Sequence, residues 1–207
     1  MRPVRSRRAT SPDVPRYRAE RLWTRIKPFT IEHGARIVRK RYASTPLGAI
    51  PLPSRFSNPD RQYPVLYLAL ELRTAFMETV IRDSLVDRDR RILALAEIED
   101  RCVVVVDSAE PLLLLDLRDG GSSAVGAPTA VVADRRHAAG QALSRALYHN
   151  LDEADGILYP SRFTNAPCAA VFDRALGKLR VRTVEPLIEQ APVLDAIDEF
   201  DLVLIDP

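Results

Sequence analysis

The stretch that decides the fold is Val65-Leu66-Tyr67-Leu68-Ala69-Leu70-Glu71-Leu72-Arg73-Thr74-Ala75-Phe76-Met77-Glu78-Thr79-Val80-Ile81-Arg82. Residues 65–70 form an apolar run of strand length, opened by Pro64. From Leu72 the period changes: Leu72, Phe76, Val80 and Ile81 fall at helical spacing, which predicts a helix over 72–85. A strand therefore runs straight into a helix. Upstream, residues 45–64 carry Pro46, Pro51, Pro53, Pro59 and Pro64 and read as a long loop. Loops of that length inside a compact domain are usually functional. Residues 31–41 fit either a strand or a loop, and 21–26 read as a short strand around Leu22 and Trp23.

Downstream, the β-branched run 103–106 is the clearest strand, and 112–115 extends the sheet. Residues 120–128 form a loop rich in Gly and Ser. A second helix spans 134–149, with Ala138, Gln141, Ala142, Arg145 and Leu147 along it. Asp155-Gly156 marks a turn into a strand at 157–159 that ends at Pro160. Strands at 169–172 and 179–184, a short helix at 194–197 and a strand at 202–205 complete the chain. This irregular mixture is α/β or α+β, and it lacks the strict alternation of a doubly wound sheet.

The chain has 207 residues, 46% hydrophobic and 28% charged, as expected for one ordinary domain with a real core. A net charge of +2 argues for neither nucleic acid nor a membrane surface. The charge is uneven, however. Arg2, Arg5, Arg7, Arg8, Arg16 and Arg18 crowd the first residues, with Asp13 the only acid and Pro3, Pro12 and Pro15 interrupting. Residues 1–18 are expected to be a disordered basic arm ahead of a single domain over 19–207. The arm reads as a solvated tail or as a nucleic-acid contact. No apolar run reaches membrane-spanning length and no secretory signal is visible, so a cytoplasmic protein is expected. Cys102 and Cys168 lack CxxC spacing and read as buried thiols. His33, His137 and His149 have no zinc-ligand spacing with them, so no metal is expected.

Neither GxGxxG, a P-loop nor a GxSxG elbow is present. What remains is a scattered set. Arg25 and Arg55 offer forks that suit a pyrophosphate, or are simply surface arginines in an arginine-rich chain. By spacing alone Glu78 pairs with its i+4 neighbour Arg82 on a polar stripe. Alternatively it stands at a cleft, where a carboxylate stabilises positive charge on a ribose losing its base. Tyr67 is a core aromatic or a contact for a base or sugar. Ser161 is a turn cap or a ligand contact. His137, near the start of the second helix, reads as a surface or cap residue.

The order of these pieces resembles the RES-domain family, named for an arginine, a glutamate and a serine. The matching segments are Leu22-Trp23-Thr24-Arg25-Ile26, Ser54-Arg55-Phe56-Ser57, Val65-Leu66-Tyr67-Leu68-Ala69, Thr74-Ala75 through Glu78, Gly156-Ile157-Leu158-Tyr159-Pro160-Ser161-Arg162 and Ala170-Val171-Phe172-Asp173. The resemblance covers residues 22–184. It implies an α+β fold with a split mixed β-sheet and flanking helices, like that of ADP-ribosyltransferase toxins. It also implies a toxin that consumes NAD by breaking the nicotinamide–ribose bond, by hydrolysis or phosphorolysis. NAD is then a substrate, inorganic phosphate a co-substrate, and no prosthetic group is needed. Carried over residue by residue, Arg25 and Arg55 are similar to the family's pocket arginines, Tyr67 to its tyrosine, Glu78 to its glutamate and Ser161 to its serine. The implied catalytic set is Glu78, Arg55 and Tyr67, and the implied NAD-binding set is Arg25, Arg55, Tyr67 and Ser161. The implied partner is a helix-turn-helix antitoxin whose C-terminal segment plugs the cleft, with nucleic acid reached only through it. Three positions depart from the family pattern: Ile26 stands where some members have tyrosine, Ser57 where asparagine is common (Asn58 follows), and the helix before Gly156 begins near His137 where Ser or Thr is frequent. The rival readings are a protein ADP-ribosyltransferase on the same fold and a non-catalytic nucleic-acid-binding protein that uses the basic arm.

Overall fold

The computed structural model describes residues 17–58, 60, 62–82 and 91–206. Most of the basic arm, up to Arg16, lies outside the described residues, as does the predicted helix beyond Arg82. Tyr17 is buried and belongs to the core.

In chain order, α1 (Ala19–Trp23) leads into β1 (Ile26–Phe29), β2 (Gly34–Arg39) and a 3-10 turn (Lys40–Tyr42). After the proline-rich loop come β3 (Val65–Ala69), α2 (Leu72–Phe76) and a π-helical turn (Met77–Ile81). β4 (Ile92–Ala94), α3 (Ala96–Glu99), β5 (Arg101–Ser108) and β6 (Leu112–Asp116) follow. α4 (Gly121–Ala124), α5 (Ala130–Ala133) and α6 (Ala138–Asn150) then lead to β7 (Gly156–Pro160). β8 (Pro167–Phe172), β9 (Leu179–Pro186), α7 (Ala191–Glu199) and β10 (Val203–Ile205) complete the described chain.

Among the described residues, eight strands form one sheet in the order β1-β6-β7-β8-β3-β2-β5-β9, and β10 pairs with β4 in a second, small one. The large sheet is mixed. Its β6–β7 pair is parallel, made possible by the helical crossover through α4, α5 and α6, and its other pairs are antiparallel. One junction differs from the rest. β2 is registered on β5 from Gly34↔Val106 to Arg39↔Arg101, and β3 on β8 from Val65↔Phe172 to Ala69↔Cys168. Yet β2 and β3 pair with each other only at Ala35↔Ala69. Beyond that pair the two strands part, so the sheet is split and a wedge opens between them.

The continuous apolar run of β3 reflects burial on both faces. Val65 and Ala69 pack with Ile37, Phe56 and Phe172 on one side, and Leu66 and Leu68 with Val104, Val106 and Leu158 on the other. Each fully buried leucine or phenylalanine among them contributes roughly 1.5–3 kcal/mol. α2 and α6 cover the first face.

The structure refines several expectations. Residues 21–26 are not a strand: α1 takes 21–23 and a turn follows, with Leu22 buried on the helix's inner side and Trp23 49% exposed. Ala19, Glu20, Arg21 and Leu22 are good helix formers, and that local preference outweighs the two apolar neighbours. The strand instead starts at Ile26 and tolerates Pro28 because β1 is an edge. The 120–128 loop contains α4, and the second helix begins at Ala138 instead of 134. β4 and α3 were not anticipated from sequence. Cys102 and Cys168 are buried free thiols, as expected.

Candidate functional site

A cavity of about 820 Å³ fills the wedge between β2 and β3. Its walls include Arg36 from β2, Tyr67 from β3, Ser54 from the proline-rich loop, Glu78 from the π-helical turn and Tyr159 from β7.

Glu78 sits where α2 widens into that π-helical turn, a local irregularity frequent at functional sites. The turn ends at Arg82, whose φ is 46°. Arg82 does not pair with the Glu78 carboxylate. Its Nε donates to the Glu78 backbone carbonyl at 3.2 Å. The carboxylate partner is Ser161, whose hydroxyl donates to Glu78 Oε1 at 2.7 Å. Ser161 is itself oriented, because its Oγ accepts the amides of Phe163 at 3.1 Å and Thr164 at 3.4 Å. The turn after β7 is closed by the Ser161 amide donating to Ala166 and the Asn165 amide to Ser161. Thr164 is held to Thr74 of α2 by hydroxyls 2.9 Å apart. The helix that carries the carboxylate and the turn that carries the serine are thus tied together twice.

Tyr67 anchors the Ser54-Arg55-Phe56-Ser57 segment. Its phenolic oxygen accepts the Phe56 amide at 2.8 Å and the Ser54 hydroxyl at 2.9 Å. From the other side, α6 holds the same segment: Gln141 Nε2 donates to the Ser54 carbonyl at 3.0 Å and Ser144 Oγ to the Phe56 carbonyl at 2.6 Å. Gly140 lets α6 come this close, since a Cβ there would lie 2.4 Å from the Arg55 carbonyl oxygen. Phe56 is fully buried with its ring edge-on to Tyr159, centroids 4.9 Å apart. Burial pushes the Tyr67 phenol up to about 12, so it stays neutral over ordinary pH.

Arg55 directs Nη1 at the carbonyls of Asp134, at 2.8 Å, and Val131, at 3.4 Å, at the end of α5. A cation there satisfies carbonyls the helix leaves open. It also shares an electrostatic neighbourhood with Tyr159, Arg162, Glu78 and Tyr67. His137, just before α6, is pulled below its ordinary pKa by burial and then by Arg55, Arg162 and Arg82. The surroundings of Glu78 therefore carry a concentration of positive charge suited to an anionic ligand.

Arg25 is not brought to this site. Its guanidinium donates to the carbonyls of Asp116, at 3.2 Å, and Arg118, at 3.3 Å, at the end of β6. β6 is three strand positions from β3; Arg25, like Arg55 and Ser161, is not among the residues that line the cavity, and unlike those two it has no contact with Glu78. Arg36 lines the cavity instead, a residue the sequence reading missed. Its Nη2 donates to the Gly48 carbonyl at 2.8 Å, while Nη1 is buried with no hydrogen-bond partner among the described residues. Burial lowers its pKa. A buried guanidinium nitrogen left unpaired is costly. The sequence held one signal for it: a single charge between Ala35 and the β-branched pair Ile37-Val38.

His, Cys, Asp and Glu form no group that could hold a metal ion among the described residues. Among those residues, no helix is long and apolar enough to cross a membrane.

A split mixed sheet with flanking helices, and a cleft between β2 and β3 whose wall carries Glu78 and Arg36, define an α+β protein. The chain belongs to the RES-domain family, whose model matches residues 33–192. Arg36, Arg55, Tyr67, Glu78 and Ser161 fall inside that match and Arg25 precedes it. The chain is 35% identical over 114 residues to a protein of Sinorhizobium fredii named "Probable toxin y4kH", covering 55% of this chain and 90% of that one. In fold it is similar to the crystal structure of the M. tuberculosis MbcT–MbcA toxin–antitoxin complex, with a TM-score of 0.66 and 20% identity over 84% of this chain and 92% of that one.

Proposed function

We propose that this protein is the toxin of a toxin–antitoxin pair and acts by cleaving the nicotinamide–ribose bond of NAD. The observation that carries the reading is the Ser161–Glu78 hydrogen bond at the wall of a cavity that Arg36 also lines. The toxin relatives and the family support it.

In this reading Arg36 and the positive field around Arg55 hold the pyrophosphate of NAD. Arg25, expected to do so from sequence, instead supports the end of β6. Tyr67 shapes the pocket by fixing the Ser54–Ser57 loop, and its ring faces the nicotinamide ribose. As the C1′–N bond breaks, its electron pair passes to the ring nitrogen and neutral nicotinamide departs. The Glu78 carboxylate stabilises the positive charge left on the ribose, and Ser161 keeps that carboxylate aimed. An oxygen of water or inorganic phosphate then bonds C1′; with water, the released proton goes to solvent. The products are ADP-ribose or ADP-ribose 1-phosphate. A cognate antitoxin would neutralise the activity by occupying the cleft. NAD and the two free buried thiols both suit the cytoplasm.

Purified protein incubated with NAD, with and without phosphate, is expected to release nicotinamide. The co-product identifies the acceptor, and a labelled protein band in cell extract would identify a protein acceptor instead. If no condition releases nicotinamide, the reading is wrong.

A further inference from the structure

The cavity extends well past Glu78. Beyond the end of β2, where β2 and β3 have parted, it is bordered by the 3-10 turn and the loop after it. There Tyr42 is 46% exposed, Ile50 62% and Leu52 58%, and all three line the same cavity as Glu78 and Arg36. Arg41 lies against the Tyr42 ring, its guanidinium carbon 4.8 Å from the centroid. Single exposed apolar side chains need no explanation. Three at one cavity mouth, one of them an aromatic ring backed by a guanidinium, make a surface for a flat apolar group. The Arg36 side chain links this rim to the cavity wall, because its Nη2 bonds the Gly48 carbonyl two residues before Ile50. One cavity therefore combines the Glu78 carboxylate, the Arg36 guanidinium and an apolar aromatic rim.

We propose that Tyr42, with Arg41 against its ring and Ile50 and Leu52 beside it, forms the subsite that stacks the adenine of a dinucleotide substrate. The inference rests on the proposed function for the identity of the ligand. It goes further by assigning where the adenine half binds and by making that half a determinant of substrate choice. A planar base stacks on an aromatic or guanidinium face whatever its hydrogen-bonding edge, so the ring of Tyr42 matters and its hydroxyl does not.

The test is calorimetric titration of the full chain with ADP-ribose, using wild type, Tyr42→Ala and Tyr42→Phe. Loss of one base–aromatic stack should weaken binding roughly 5- to 100-fold in Tyr42→Ala, with Tyr42→Phe close to wild type. ADP-ribose binding that is absent in wild type, unchanged in Tyr42→Ala, or equally weakened in both variants overturns the subsite. A rim that serves a peptide or another part of this chain would give the unchanged result. Nicotinamide release from NAD is scored separately on the wild type. Tyr42-dependent binding without release keeps the subsite and removes the reaction, and release with Tyr42-independent binding does the reverse.

Discussion

Ser161 and Glu78, 83 residues apart in sequence, are joined by a hydrogen bond of 2.7 Å from the serine hydroxyl to the glutamate carboxylate. The serine belongs to the turn between β7 and β8 and the glutamate to the π-helical turn after α2, so this contact fixes two elements at one point of the cleft. A hydrogen bond to a charged group contributes about 1.5–3 kcal/mol. Ser161→Ala should therefore lower kcat for nicotinamide release by roughly 10- to 100-fold, with a smaller change in KM. An unaltered kcat would remove Ser161 from the account.

Arg36 and Arg25 make opposite predictions. Arg36→Lys keeps the charge but loses the fork, and should raise KM for NAD. Arg25→Ala should leave NAD kinetics unchanged and lower stability modestly, because its contacts are backbone carbonyls at the end of β6. Steady-state kinetics and urea unfolding on the two variants check this; a KM effect confined to Arg25→Ala would reverse the assignment.

Gly140→Ala tests the mounting of the Ser54–Ser57 loop. Alanine is the better helix former by about 1 kcal/mol. Here, however, its methyl would meet the Arg55 carbonyl at 2.4 Å, and backbone must move. The expected net result is a destabilisation of about 1–3 kcal/mol by urea unfolding, together with impaired NAD turnover. A variant as stable and active as wild type would show that the loop is not held by close approach.

Two phenols set an alkaline limit on stability. Burial raises both Tyr63 and Tyr67 from the ordinary 10.0 to about 12 in the folded chain. A raised folded pKa means their contribution is whole below pH 10.0 and is lost as pH climbs towards about 12. Tyr67→Phe should flatten part of that alkaline slope. It should also cost about 1–3 kcal/mol at neutral pH, because the Phe56 amide loses its acceptor. Unfolding midpoints across this pH range are the measurement, and an unchanged slope in Tyr67→Phe would contradict the prediction.

Much of this was legible in sequence where local chemistry and tertiary context agree. The change of period at Leu72 located the β3–α2 unit; of the residues singled out by the short motifs, Tyr67 and Glu78 line the cavity, Ser161 bonds Glu78 from behind it, and Arg55 caps the end of α5. The failures arose where long-range pairing decides. Arg25 and Arg36 are both arginines beside short apolar segments, and only the single-pair junction at Ala35↔Ala69 shows which of them faces the wedge. Glu78 and Arg82 have ideal i+4 spacing, yet the π-helical widening and the arrival of Ser161 give the carboxylate another partner. Helical spacing could not register a contact across 83 residues.

The most direct measurement is nicotinamide release from NAD by wild type and Glu78→Gln at equal concentration, with and without phosphate. On the proposed mechanism, removing the carboxylate charge should slow release by roughly 10²- to 10³-fold while the folded protein is retained. A Glu78→Gln variant as fast as wild type, or a wild type that releases no nicotinamide at all, would contradict the account.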